Sequence, residues 1–329
     1  MELNKIYHSD WINNNLADKS VQLIIADPPY FEVKGDFDFI WKSFDDYLKD
    51  VEKWAIECKR VLADNGTLFW YGHAKKIAYA QIIFDKHFNL INNLVWNKGS
   101  FMGLEESEGL RSFAPCTERL LMYANEEAVN KSTLIHKDYF VSIIDKIQET
   151  AKIEDFVNCL LSLKIANSKD SAKVLASYKL GNHKTRFDLL SKEMYDFIGG
   201  FNYSFIELEN GYRNLKNEYE ELRRPFVNTF KLQEVINYGN EATKTGAKYD
   251  HETVKPETLT RALILTCSRP NDLILVPFAG SGTECAMAVK ENRNFTGFDV
   301  NEKYVKMSND RVQNILRQPS LFVGSWTDH

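Results

Sequence analysis

The stretch "VQLIIADPPYFEV", Val21 to Val33, sets an acid, two prolines and two aromatics directly after an apolar run. A residue before proline is driven into extended backbone, and the proline ring fixes φ. The Asp27 carboxylate and the carbonyl oxygens of Pro28 and Pro29 are therefore rigid acceptors at a strand end. Tyr30 and Phe31 add flat apolar faces. Acceptors beside an aromatic plane suit a planar group bearing N–H donors, such as the exocyclic amine of a nucleobase. That amine is a poor nucleophile because its lone pair is delocalised into the ring. Two acceptors on its N–H bonds favour a tetrahedral nitrogen and stabilise the positive charge that develops as it attacks. Tyr30 would stack on such a base once the base has left its helix. A rigid Pro-Pro turn over a packed aromatic is the other reading of the same residues.

A second stretch, "LILVPFAGSGTECAMAV", runs a strand into Phe278-Ala279-Gly280-Ser281-Gly282-Thr283 and then into a helix. Glycines there let the backbone approach a ligand, and the helix start offers free N–H groups. Loops of this kind sit at the carboxyl edge of an α/β sheet, where nucleotide-like ligands bind. Cys285 stands where the phosphate-binding GxGxxG would have its third glycine, and no GK[ST] phosphate loop is present. One strand later, Asp299 ends "FTGFDV", placed to accept from ribose hydroxyls. A tight turn with a helix cap is the alternative.

The elements that must position these groups alternate. "VQLIIA", "GTLFWYG", "NNLVWNKG" and "TERLLMYAN" read as strands, separated in part by the helical patterns "DDYLKDVEKWAIECKRVLA" and "AKKIAYAQIIFDKHF". After His251 the alternation resumes with "ETLTRALILTCS", "DLILVPF", "GTECAMAVKEN", "NFTGFDV" and "NEKYVKMSNDRVQNIL". Strands alternating with such helices predict a parallel sheet with crossover helices. The middle is polar and helical, without a clear long strand. The chain thus divides into 1–123, a helical insert at 124–249, 250–317, and a tail at 318–329. One α/β domain is built from both ends.

Composition narrows the class. The 329 residues are 44% hydrophobic and 26% charged, an ordinary soluble balance. No apolar run approaches a membrane span, and no secretory leader is visible. The five cysteines form no CxxC pair, which fits a reduced cytoplasmic protein without structural zinc. The net charge of -5 argues against a generally nucleic-acid-coating surface, but a local basic face can coexist with it.

Taken together, "DPPY", "HETVKP" and "PFAGSGT" in this order resemble the β group of DNA amino-methyltransferases, which move a methyl group from S-adenosylmethionine to adenine N6 or cytosine N4. "SDWINNNLADKSVQLIIADPPY" and "NNLVWNKG" are similar to that group's usual surroundings. The resemblance implies a Rossmann-like methyltransferase sheet with helices on both faces and a circularly permuted motif order. It implies that Asp27 and the Pro28 carbonyl hold the target amine within Asp27-Pro28-Pro29-Tyr30, with Tyr30 on the base. It implies that Pro277, Phe278, Ala279, Gly280, Ser281, Gly282 and Thr283 surround the cofactor's methionine part, and that Asp299 holds its ribose. Asp10 would reach the cofactor's adenine, or simply cap a helix; His251 and Lys255 would line the cofactor approach, or belong to a solvated loop. Val276 departs from the pattern, because the family usually has an acid there to anchor the methionine end. The acid in DPPY favours adenine over cytosine, and direct transfer needs neither a metal nor a nucleophilic cysteine. Cytosine-N4 methylation, methylation of RNA or of a protein amide, a silent DNA-binding relative and a dinucleotide oxidoreductase are the rivals, in falling order.

The insert stands where that family keeps its target-recognition region. From Lys164 to Lys192 it carries Lys164, Lys169, Lys173, Lys179, Lys184, Arg186 and Lys192 against Asp170 and Asp188, as phosphate contact requires. Two short helices about Gly181 are expected there, loosely like helix-turn-helix. Arg223 and Arg224, at a helix end, and Lys98 and Arg111, after "NNLVWNKG", are further candidates for DNA. A solvated helical face is the plainer reading of the basic stretch. The expected partners are double-stranded DNA and a cognate restriction endonuclease, with the chain a monomer or homodimer.

Overall fold

The computed structural model describes residues 1–33, 38, 40–99, 113, 115–125, 153–179, 221, 223–238 and 254–317. The chain forms two compact units, one of Met1–Glu126 with Arg224–His329 and one of Glu127–Arg223.

The first unit is built on an eight-stranded sheet. Its strands are β1 (Lys5–His8), β2 (Val21–Ala26), β3 (Leu62–Gly72), β4 (Asn89–Asn97), β5 (Thr117–Ala124), β6 (Val235–Asn237), β7 (Leu273–Val276) and β8 (Asn294–Asp299), in the spatial order β1-β8-β7-β2-β3-β5-β4-β6. Five neighbouring pairs are parallel, and β5 runs antiparallel to both β3 and β4. The expectation of a parallel sheet holds for those five pairs and is corrected for β5. Apolar patterning marks a strand but not its direction, and antiparallel neighbours need no crossover helix. Strand β6 lies inside the stretch that the sequence assigns to the insert; three residues are too few for a readable period.

Helices cover both faces, as the sequence predicts. Alternation along β2 sends Leu23 and Ile25 to one core and Ile24 and Ala26 to the other. Helix α1 (Phe44–Val61) and helix α2 (Ile77–Phe84) pack on the Ile24 side, where Val51, Trp54, Ala55 and Cys58 are buried. Ser43 starts α1 by accepting from the Asp46 N–H at 3.1 Å. On the other face, α5 (Glu257–Cys267), α6 (Thr283–Lys290) and α7 (Glu302–Arg317) contribute Leu263, Ala286 and Val312.

In the second unit, α3 (Ile153–Ser162) and α4 (Lys169–Lys179) form a helix pair burying Val157, Leu160, Ala172 and Ala176. The Ser168 hydroxyl accepts from the Ser171 N–H at the start of α4. Helix α4 is the first of the two helices expected about Gly181; the second lies outside the described residues.

Candidate active site

The two chemistry-bearing stretches leave the carboxyl ends of neighbouring strands. Leu23 pairs with Ile274 and Ile24 with Leu275, so Asp27 and Pro277 emerge side by side. From β2 the chain proceeds to β3 on one side, and from β7 to β8 on the other. A sheet that reverses its order in this way opens a crevice at that edge. The crevice is a cavity of about 1120 Å³, lined by Asp10, Trp11, Asp27, Tyr30, Lys255, Phe278, Gly280, Glu284 and Asp299 among others. That exceeds the ~300–1,000 Å³ of most single-ligand pockets, so two ligands can meet in it.

Each wall is held from behind. Phe31, after the DPPY motif, is buried against Phe44 and Tyr47. Phe31 and Glu32 both have left-handed backbone, φ 47° and 52°, a costly turn for residues with side chains. Three contacts over-determine it: Tyr30 N–H to Asp38 Oδ1 at 2.6 Å, Glu32 N–H to the Asp38 carbonyl at 2.7 Å, and Lys76 Nζ to the Phe31 carbonyl at 2.5 Å. The glycine loop is fixed by α7. Ser308 Oγ donates to the Gly280 carbonyl at 2.7 Å, and Arg311 donates to the Ser281 carbonyl and Thr283 Oγ1. Phe278 wedges edge-on against Trp11, Trp54 and Trp70. Asp299 accepts from the Gly280 N–H at 2.8 Å, tying the end of β8 to the loop. Asp10 caps the short 3-10 turn Trp11–Asn13 through the Ile12 N–H, as the cap reading expects, and also lines the cavity.

At the other end of the cavity lies a buried charge network. Tyr30 Oη donates to Asp27 Oδ1 at 2.5 Å, and Lys255 Nζ lies 2.7 Å from Asp27 Oδ2. Lys255 also pairs with Glu118 at 3.2 Å, and Glu118 with Lys98 at 2.9 Å. Lys255 lies beneath the rings of Tyr71 and Trp96 as well. Burial works against its charge, yet Asp27 and Glu118 hold its ammonium well above the ordinary lysine value. Burial pushes the Glu118 carboxyl up, but Lys255 and Lys98 bring it below its usual range. Burial, then the Asp27 charge, raises the Tyr30 phenol, which stays a donor.

Lys255 thus stands against Asp27 rather than only along a ligand's approach. Lys98, expected on a DNA-facing loop, turns inward to Glu118. Arg224 turns inward too, donating to Thr67 Oγ1 at 3.2 Å over the Phe226 ring. Burial lowers its guanidinium. A cation beside a sheet gains more from buried partners than an isolated basic residue in a sequence can reveal. Arg223 is half-buried at the end of the second unit. Lys179 closes α4. Arg111, Lys184, Arg186 and His251 lie outside the described residues.

Among the cavity acids that the sequence did not single out are Glu118 and Glu284. Glu118 is the second residue of β5 and reaches this edge because β5 is reversed. Glu284 follows Thr283 in the first turn of α6, where a helix-start acid is unremarkable. It is nonetheless buried, and its Oε1 has no hydrogen-bond partner among the described residues.

The carboxylates at one end, the glycine loop, the apolar ring faces and the cavity size all fit S-adenosylmethionine. A family model described as DNA methylase, of the N6/N4 type, matches residues 21–310. The chain is 24% identical over 336 residues to the type II methyltransferase M.HinfI of Haemophilus influenzae, covering 97% of this chain and 70% of that protein. It is 24% identical over 322 residues to the DNA adenine methyltransferase YhdJ of Escherichia coli (strain K12), covering 94% and 83%. The solved PvuII DNA methyltransferase (cytosine-N4-specific) shares the fold, with a TM-score of 0.50 at 13% identity over 94% of this chain and 90% of that one.

Proposed function

Because the chain belongs to the DNA methylase family, whose model spans residues 21–310, it is an S-adenosylmethionine-dependent methyltransferase of DNA, and we propose that its target is the N6 amine of adenine, flipped from the duplex into the cavity at Asp27. The observation that carries this reading is the emergence of Asp27 and the glycine loop from adjoining strand ends in one cavity. An acid rather than a serine heads the PPY motif, and that supports adenine over cytosine.

When bound, S-adenosylmethionine supplies a methyl group made electrophilic by its sulfonium. Pro277 to Thr283 would hold its methionine part, Asp299 its ribose hydroxyls and Asp10 its adenine. Asp27 has a donor on each oxygen, but a carboxylate offers about four lone-pair sites, so each oxygen can still accept one N–H. Lys255 and Tyr30 fix the plane of that carboxylate, and the Pro28 carbonyl provides a second acceptor for the amine. So held, the nitrogen directs its lone pair toward the glycine loop. The cofactor would supply its methyl group to that nitrogen and keep the S–C electron pair, and the amine's surplus proton would leave to the Asp27 carboxylate that already accepts its N–H.

The test is to incubate the protein with S-adenosylmethionine and unmethylated genomic DNA, then map modified bases by long-read sequencing. N6-methyladenine at one short motif, lost in Asp27→Ala, is the expected result. Modified cytosines would give the N4 reading instead, and no mark despite DNA binding would overturn the assignment of activity.

A further inference from the structure

Glu284 is an acid of the cavity wall that the proposed mechanism does not use. It lies in the first turn of α6, immediately after the glycine loop, and is buried. An acid in that turn already gains from the helix N-terminus at an exposed position, so that gain does not by itself require burial. Burial has instead cost it solvation without supplying, among the described residues, a partner for Oε1. The cations nearest to it are engaged elsewhere: Lys255 with Asp27 and Glu118, Arg311 with Glu257 at 2.7 Å. Asp27, an acid, faces it from the end of β2. The Tyr71 phenol faces it from β3 and Cys285 adjoins it on α6. A buried acid turned toward a ligand cavity, with an open acceptor and a second acid facing it, is a receptor for a cation with N–H donors.

S-adenosylmethionine has two cationic centres, and only the α-ammonium of its amino-acid end carries N–H. We infer that Glu284 receives this α-ammonium, and so supplies from α6 the acid that is missing at Val276 on β7. The inference rests on the cofactor site proposed at Pro277 to Thr283. It makes Glu284 a binding residue whose carboxylate is neutralised by the ligand. Burial and the Asp27 charge push the free carboxyl up to about 7, in keeping with an acid whose counter-charge arrives with the ligand.

The experiment is calorimetric binding of S-adenosylhomocysteine and of its desamino analogue, which has hydrogen in place of the ammonium. At pH 8, Glu284→Gln should weaken S-adenosylhomocysteine about ten- to a hundredfold, as loss of a buried charge-assisted bond does, and leave the desamino analogue within about twofold. Equal weakening of both ligands, or of neither, would overturn the inference. A Gln that preserves affinity would mean that a neutral acid donates to the ligand's carboxylate. Should the variant not fold, the unmodified protein serves: between pH 8 and pH 6 its affinity for S-adenosylhomocysteine should fall while that for the desamino analogue stays level, and two parallel profiles would sink the idea. If the unmodified protein binds neither compound, the cofactor site itself is misplaced, a failure distinct from that of Glu284.

Discussion

In the proposed mechanism Asp27 is the residue on which the chemistry turns, and Lys255 and Tyr30 hold its carboxylate in place. Lys255 is its ionic partner and is itself almost wholly buried. Removing one member of a buried ion pair strands the other, at a cost of about 3–5 kcal/mol. Lys255→Met should therefore lower stability by about that amount in urea denaturation, because buried Asp27 then loses its cation and Glu118 keeps only Lys98. An unchanged midpoint would mean that the pair contributes nothing net. Glu284 gives a pH signature of opposite origin. Its folded carboxyl sits near 7 against an ordinary 4.5, so the unliganded fold holds that proton more tightly than the unfolded chain does. This contribution is whole below 4.5 and is lost as pH climbs toward 7. Relative to Glu284→Gln, the unmodified protein should lose up to about 3 kcal/mol between pH 5 and pH 8. Chemical denaturation of both proteins at the two pH values checks the sign.

At the scale of elements, the loop between β7 and α6 is shaped by what lies behind it. Gly282 has φ 70°, and a Cβ there would stand 2.7 Å from Ser308 Cβ and 3.2 Å from Ser308 Cα. Ser308 cannot retreat without releasing the Gly280 carbonyl. Gly282→Ala should therefore combine left-handed strain of about 1–3 kcal/mol with a displaced loop. The expected readouts are a lower melting temperature and an S-adenosylhomocysteine affinity reduced at least tenfold. Wild-type affinity in that variant would show that the loop tolerates the shift.

At the scale of the molecule, the sheet-based unit holds the candidate site, while the second unit presents Lys164, Lys169 and Lys173 at its surface. Phosphate contacts release counterions, each steepening the salt dependence of binding by about 0.9 in log–log slope. If α4 contacts DNA, the double substitution Lys169→Glu and Lys173→Glu should reduce that slope by about 2 and weaken DNA binding. Calorimetric affinity for S-adenosylhomocysteine should not change. A slope identical to that of the unmodified protein would remove α4 from the DNA surface. Among the described residues no helix is long and apolar enough to cross a membrane.

By itself, the sequence determined the local pieces. Prolines lock Asp27, glycines bend the loop before α6, and apolar periods of two and of about three and a half mark most of the strands and helices; each depends only on neighbours in the chain. The family likeness was legible for the same reason, since its motifs are short and contiguous. Tertiary structure alone decided which pieces meet. The pairing of β2 with β7 joins residues some 250 positions apart, and the reversal of β5 delivers Glu118 to the site. Burial then turned Lys98 and Arg224 inward, bound Lys255 to Asp27 and left Glu284 without a partner for Oε1. A charge's worth depends on its solvent and its counter-charge, and both are properties of the folded molecule.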